Sequence, residues 1–248
     1  GRFKDAKDIL DQAKSNGAKG DGFDQLENKL KEAANNKTKN VTANTRHDPT
    51  KDKLQAVIDL YTEGKLQKAL DKALKCIDAA VDAGAEVVKF QCHITDKEMI
   101  PTDMKPGEIS NERLWDIIKR CELTEDEEQT VQAYCNDKGV MYLSTPFSRE
   151  AADRLNKMDV PAFKIGSGEC NNYPLIEHIA SFKKPMIIST GMNNLESIYK
   201  TVEIVRKHNI PYALLHTTNI YPTPARLVRL GAMQQMQQAF PDAVVGLS

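Results

Sequence analysis

No two of the five cysteines (Cys76, Cys92, Cys121, Cys135 and Cys170) stand in a C-x-x-C spacing. An odd, scattered set frames neither a disulfide scaffold nor a zinc site, so free thiols in a reducing compartment are expected. Long apolar runs are absent too: none reaches the length that crosses a bilayer, and the opening GRFKDAKDIL does not read as a secretory leader. Net charge is only -1 over 248 residues, which removes the electrostatic reason to expect nucleic acid or an anionic membrane as partner. Glycine-rich nucleotide fingerprints are missing after every apolar run. The single tryptophan, Trp115 in RLWDIIKR, reads as a packing residue. The sequons NKT and NVT near residues 36–42 fall in a polar stretch and read as accidents of composition. The expectation is a cytoplasmic protein.

What is present divides into two unlike parts. Residues 1–73 read as helices only, with Leu10 and Ala13, then Phe23, Leu26 and Leu30, at helical spacing. A polar linker without periodicity, NNKTKNVTANTRHDPT, occupies about residues 35–50. Beyond it, LQAVIDLYTEGKLQKALDKAL reads as a helical hairpin broken at Gly64 and weakly resembles one tetratricopeptide-type unit. From residue 74 to 248 six short β-rich runs alternate with amphipathic stretches: VVKFQCH, VMYLSTPF, AFKIGSG, PMIISTGM, YALLHTT and AVVGLS. Runs apolar on both faces and separated by helices indicate parallel βα units. Six in series without reversal favour an α/β fold of the TIM-barrel type over an open doubly wound sheet.

Each run begins apolar and finishes polar. The ends carry Lys89 and Gln91; Ser144 and Thr145; Lys164, Ser167 and Glu169; Ser189 and Thr190; His216, Thr217, Thr218 and Asn219; and Ser248. In a parallel barrel these ends share one face, where the reactive loops sit. Two lysines with several hydroxyls and glycine-flanked amides suit a phosphate or a phosphorylated carboxylate. Any one of the hydroxyls alone could instead cap a following helix, so the weight lies in their recurrence at one end. Histidine gives no metal site: His47 lies in the linker, His178 and His208 fall on helices, and His93 with His216 is too few. Cys170 has no evident base partner for thiol chemistry.

The blocks AAVDAGAEVVKFQCHI, YLSTPFSREAADRL, DVPAFKIGSGECNNYPLIEHIASFKKPMIISTGMN, PYALLHTTNIYPTP and FPDAVVGLS resemble the bacterial N-acetylneuraminate (sialic acid) synthases over residues 74–248. The resemblance implies a TIM-type barrel that condenses phosphoenolpyruvate with N-acetylmannosamine, or a related amino sugar, to a nine-carbon α-keto acid and phosphate. It also implies a divalent metal (Mn or Mg) and a homodimer. Carried over, it places Lys89, Thr145, Lys164, Ser167, Ser189, Asn219 and Ser248 around phosphoenolpyruvate, Gln91 and Tyr221 nearer the sugar, and Glu169 close to the reacting enol. Glu169 and Lys164 are the catalytic candidates. The motifs GECNNYP and TNIYPTP lean towards a sialic rather than a legionaminic or pseudaminic product.

The chain departs from that pattern at both ends. The family opens with a strand of the type AEIGxNHxG, carrying a glutamate assigned a catalytic role, where this chain has LYTEGKLQKAL. The family continues past GLS into Asp-His-Thr, with one metal histidine there and the second on the eighth strand, and then into an antifreeze-like domain that closes the partner's site with an arginine. The expected fold is therefore an incomplete barrel of about six strands with VVKFQ and AVVGLS as separate edges, its metal ligands absent and its isolated activity nearly nil. A non-catalytic interaction protein, built on the helical part with the barrel remnant as scaffold, is the competing expectation. Another phosphoenolpyruvate-condensing barrel acting on a different sugar is the third.

Overall fold

A computed structural model describes residues 66–106, 110–220 and 223–248, with side chains from Leu70 onward. The chain divides into two units, residues 1–51 and 52–248, and only the second holds described residues. The helices, linker and first hairpin arm expected over residues 1–65 lie outside the described set.

Strands β1 (Val87–Cys92), β2 (Met141–Pro146), β3 (Phe163–Ile165), β4 (Met186–Ser189), β5 (Tyr212–His216) and β6 (Val244–Leu247) form one sheet in sequence order. Every neighbouring pair is parallel. Helices α1 (Leu66–Asp82), α2 (Thr95–Glu98), α3 (Leu114–Cys121), α4 (Glu125–Asp137), α5 (Arg149–Lys157), α6 (Tyr173–Ser181), α7 (Leu195–Lys207) and α8 (Gly231–Ala239) fill the connections. β1 and β6 stand at opposite ends of the strand order and do not pair with each other. This is the open-edged, six-stranded parallel arrangement expected from the sequence.

Alternation along each strand separates two surfaces. One face carries Tyr142, Phe163, Ile165, Met186, Ile188 and Leu214, all buried against Ile77, Val131, Leu155, Ile176, Ile179, Val202, Val205 and Phe240 of the helical layer. Each such side chain contributes roughly 1.5–3 kcal/mol when taken from water. The opposite face holds the residues one position over, and it is uncovered at its edges: Val87, Met141 and Val244 are 44%, 48% and 71% exposed. Glu128, a buried acid between strands and helices, is met from both layers. It accepts from Cys92 Sγ (3.1 Å), Tyr142 OH (3.0 Å) and Ser144 Oγ (3.4 Å), with Arg154 Nη1 at 3.5 Å.

The two rims are built differently. At the lower rim α1, α4, α5, α6 and α7 are each followed by a residue in the left-handed region: Gly84, Gly139, Asp159, Lys183 and Asn209. Ala85, Val140 and Val160 then donate back to the carbonyls of Ala80, Cys135 and Leu155, the six-to-one closure of a helix end. The next strand starts two to four residues after the left-handed position. At the upper rim helix starts are capped by side chains: Thr124 forms a capping box with Glu127, Ser148 accepts from Ala151 N, Asn172 from Leu175 N and Asn194 from Ser197 N. None of these caps is a residue expected in the site. The hydroxyls of Thr145, Ser167, Ser189 and Ser248 are therefore not used as helix caps.

Candidate functional site

The uncovered face of the sheet runs upward through Lys89 and Gln91 on β1, Leu143 and Thr145 on β2, Lys164 on β3 and Ser189 on β4. The register sets Lys89 opposite Leu143, Gln91 opposite Thr145, and Lys164 opposite Ile187. A two-residue period thus turns apolar strand bodies into a polar upper tier without any change of backbone. It also divides adjacent polar pairs: Thr145 faces the cavity while Ser144 points to Glu128, and Ser189 faces it while the Thr190 hydroxyl donates to Leu215 O.

One cavity of about 270 Å³ gathers the expected side chains: Lys89, Gln91, Thr145, Lys164, Ser167, Ser189, Asn219 and Ser248 all line it. Phe147, Gly166, Gly168 and Thr217 complete the wall. Glu169 does not line it. β3 stops at Ile165, Ser167–Glu169 forms a single 3-10 turn, and Asn172 Nδ2 donates to Glu169 Oε2 at 2.7 Å. Tyr221 lies outside the described residues. Phe147 and Gly191 carry no polar group that marks them in the sequence; the signal for Phe147 is its position two past Thr145, one residue beyond the end of β2.

Among the described residues no acidic side chain lines the cavity, and its charged side chains are the two lysines. Lys164 is buried, and its Nζ donates only to neutral oxygens, Ser189 Oγ at 2.6 Å and Ile165 O at 2.9 Å. Burial, aided by repulsion from Lys89, pulls its pKa down from 10.5 to about 8. Lys89 is solvent-exposed on the edge strand, yet the concave wall around it displaces enough water to lower its pKa as well. Two like charges held close without an acid between them form a cradle that gains most from a dianion. Ser189, whose oxygen accepts from Lys164, keeps its own proton free to donate.

Gly191 makes the convergence possible. A Cβ there would stand 2.1 Å from Asn219 Oδ1 and 2.8 Å from Ser167 Oγ. A side chain at this position would have to displace the Asn219 and Ser167 side chains from where they now converge. The remaining candidates take structural places. His178 pairs with Asp153 and His208 with Glu177, each at 2.8 Å, and His216 Nε2 lies 3.2 Å from Val228 O. The Cys170 thiol is fully buried and pushed up to about 11 by that burial, which leaves it protonated at neutral pH.

A parallel βα sheet with a two-lysine cavity at its carboxyl rim has the architecture of a barrel-type α/β protein. The profile of the NeuB family matches residues 76–248, and the chain belongs to that family. The N,N'-diacetyllegionaminic acid synthase of Campylobacter jejuni is 34% identical over 180 residues, which cover 69% of this chain and 54% of that protein. The pseudaminic acid synthase of the same organism is 33% identical, covering 73% of this chain and 54% of its own length. Among solved structures, the N-acetylneuraminic acid (sialic acid) synthetase of Leptospira borgpetersenii, in complex with citrate, superposes with a TM-score of 0.64 at 26% identity. That match covers 72% of this chain and 59% of the other. The chain spans about half the length of the curated relatives it matches. No helix among the described residues is long and apolar enough to cross a membrane.

Proposed function

We propose that this chain supplies the phosphoenolpyruvate-binding wall of a sialic-acid-synthase-type transferase. The reaction joins phosphoenolpyruvate to N-acetylmannosamine or a related amino sugar, giving a nine-carbon α-keto acid and inorganic phosphate. The supporting observation is the convergence of Lys89 and Lys164 with Thr145, Ser167, Ser189 and Asn219 on one cavity, with no acidic side chain in its wall among the described residues. Relatives named for legionaminic, pseudaminic and N-acetylneuraminic acids support this class of sugar acid and leave the individual product open.

In this reading the enol π pair of phosphoenolpyruvate forms a C–C bond to the sugar's aldehyde carbon, and the aldehyde oxygen takes up a proton. Water adds at the carbon bearing the phosphate, and the C–O bond then breaks with phosphate leaving. Lys89 and Lys164 offset charge on the phosphate and carboxylate throughout, while Thr145, Ser167, Ser189 and Asn219 fix their orientation. Gln91 and Tyr221 serve the sugar side and Ser248 the phosphoenolpyruvate side; Glu169, held off the cavity wall by Asn172, reaches the enol only after leaving that partner. The described residues contain no group of three or more His, Cys, Asp or Glu placed to hold a metal ion. No step here runs through a metal.

The remaining strands, the metal ligands, the dimer partner's contribution and a cytoplasmic setting belong to the same proposal. Calorimetric titration of phosphoenolpyruvate into the chain, without metal, tests it: binding is expected, and loss of that binding in Lys164→Ala with the fold intact. Unchanged affinity in that variant refutes the reading. Turnover by the isolated chain with N-acetylmannosamine and Mn²⁺ is expected to be close to zero, and robust phosphate release overturns that part.

A further inference from the structure

A buried histidine–glutamate pair at the tip of β1 has no part in the roles above. The side chains of His93 and Glu98 are only 10% and 8% exposed, and His93 Nδ1 lies 2.8 and 3.1 Å from the two Glu98 carboxylate oxygens. On the cavity side, β1 presents Lys89 and Gln91 and β2 presents Leu143 and Thr145, paired rung by rung. One residue beyond the last paired rung, Cys92 with Pro146, come His93 and Phe147, whose rings stack at a centroid distance of 4.5 Å and an interplanar angle of 10°. Phe147 lines the cavity, and its Cε1 lies 3.7 Å from the position of a Cβ on Gly166. Gly166 opens the turn that carries Ser167 and Glu169. On its other side Phe147 joins Glu98, Ser148, Arg149 and Asn172 in lining a second cavity of about 250 Å³. The ring is a partition between two polar spaces.

We propose that His93 is a positioning residue: pinned by Glu98, it holds Phe147 as a fixed wall, and that wall holds the Gly166–Glu169 turn so that Ser167 faces the anion cavity. A phenylalanine at a wet rim has rotamers open to it on both sides. A parallel ring stacked against it removes that freedom only if the second ring is itself fixed. The imidazole meets the requirement because Nδ1 donates to a buried carboxylate, which sets the plane of the ring. A phenylalanine in its place would stack but would lack the anchor. The second part of the inference rests on the cavity being the phosphoenolpyruvate site; the first does not.

Amide hydrogen exchange on the full chain, without ligand, tests the first part. Glu169 N and Cys170 N donate to Gly166 O and Ser167 O, and their exchange should quicken about tenfold in His93→Ala and in Glu98→Ala. Glu98→Gln, whose carbonyl still accepts from Nδ1, should stay near wild type, and His93→Phe should fall between. A general loss of stability would speed the α7 amides equally, so the ratio of turn to α7 exchange is the readout. An unchanged ratio in both alanine variants overturns the inference, whatever phosphoenolpyruvate does. Should His93→Ala not fold, Glu98→Ala against Glu98→Gln carries the same comparison. For the second part, His93→Ala should weaken phosphoenolpyruvate binding about three- to tenfold while Glu98→Gln leaves it unchanged. Failure of the wild type to bind the ligand counts against the proposed function alone.

Discussion

Lys164→Met removes an ammonium group that the fold holds at a cost. Below about pH 8 the buried amine is protonated with only Ser189 Oγ and Ile165 O as acceptors. The fall of its pKa from the ordinary 10.5 to about 8 corresponds to roughly 3 kcal/mol of folding free energy lost at neutral pH. The sign follows from proton counts. Between about pH 8 and 10.5 the unfolded chain keeps a proton on this lysine that the folded chain has released. Wild-type stability therefore rises through that window, and the penalty is full below it. Methionine, of similar length, escapes the penalty but forfeits two hydrogen bonds worth about 1 kcal/mol each. The variant should thus be about 1 kcal/mol more stable than wild type at pH 7 and about 2 kcal/mol less stable near pH 10.5, the order reversing in between. Urea unfolding of both proteins at four pH values between 7 and 10.5 measures this, and phosphoenolpyruvate titration should show that the stabler protein has lost its ligand. A stability difference that does not change with pH would refute the claim that Lys164 is desolvated in the free protein.

The affinity of the wild type for phosphoenolpyruvate should fall about tenfold from pH 7 to pH 9, because only protonated Lys164 attracts the anion and its pKa is about 8. Above pH 7.5 the ligand's own phosphate is fully ionised, so calorimetry in buffers of differing ionisation enthalpy should show about half a proton taken up per ligand at pH 8. Gly191→Ala places a methyl 2.1 Å from Asn219 Oδ1 and should weaken phosphoenolpyruvate binding at least about tenfold, for about 1–3 kcal/mol of stability. Adding Asn219→Ala to that variant should cost little more, and full additivity would show that Gly191 does not act through Asn219. Glu128→Ala strands the donors Cys92, Tyr142 and Ser144 and the Arg154 guanidinium. It should lower unfolding free energy by about 3–5 kcal/mol in a denaturant titration, whereas a loss under about 1 kcal/mol would mean that the carboxylate is not the hub of that interface.

The upper polar tier was legible in the letters because a strand's two-residue period is rigid. Once VVKFQ and VMYLSTP are read as strands, Lys89 and Gln91 must share a face, as must Leu143 and Thr145, and parallel order brings their tips together. The extent of β3 was not legible. AFKIGSG reads as one run, yet the strand ends at Ile165 and the glycines serve a 3-10 turn. That turn carries Glu169 away from the cavity wall towards Asn172. The requirement for glycine at position 191 could not be read either, since it arises from Asn219 and Ser167, residues 28 and 24 positions away in sequence. Nor could the link between His93 and Phe147, which depends on the exact rung at which β1 and β2 align.

The contrast between the two ends of the strands has a consequence for how such a scaffold diversifies. Where left-handed residues close the helices, a single added residue would shift the next strand by one and turn its polar tip away from the cavity. The opposite end has slack: 21 residues separate Cys92 from Leu114, and 14 separate His216 from Gly231. Insertions and new side chains can accumulate there without disturbing the alignment of the lysines. A lineage of such proteins can therefore reshape the upper rim by rewriting its long connections, while the two-lysine tier beneath stays the same.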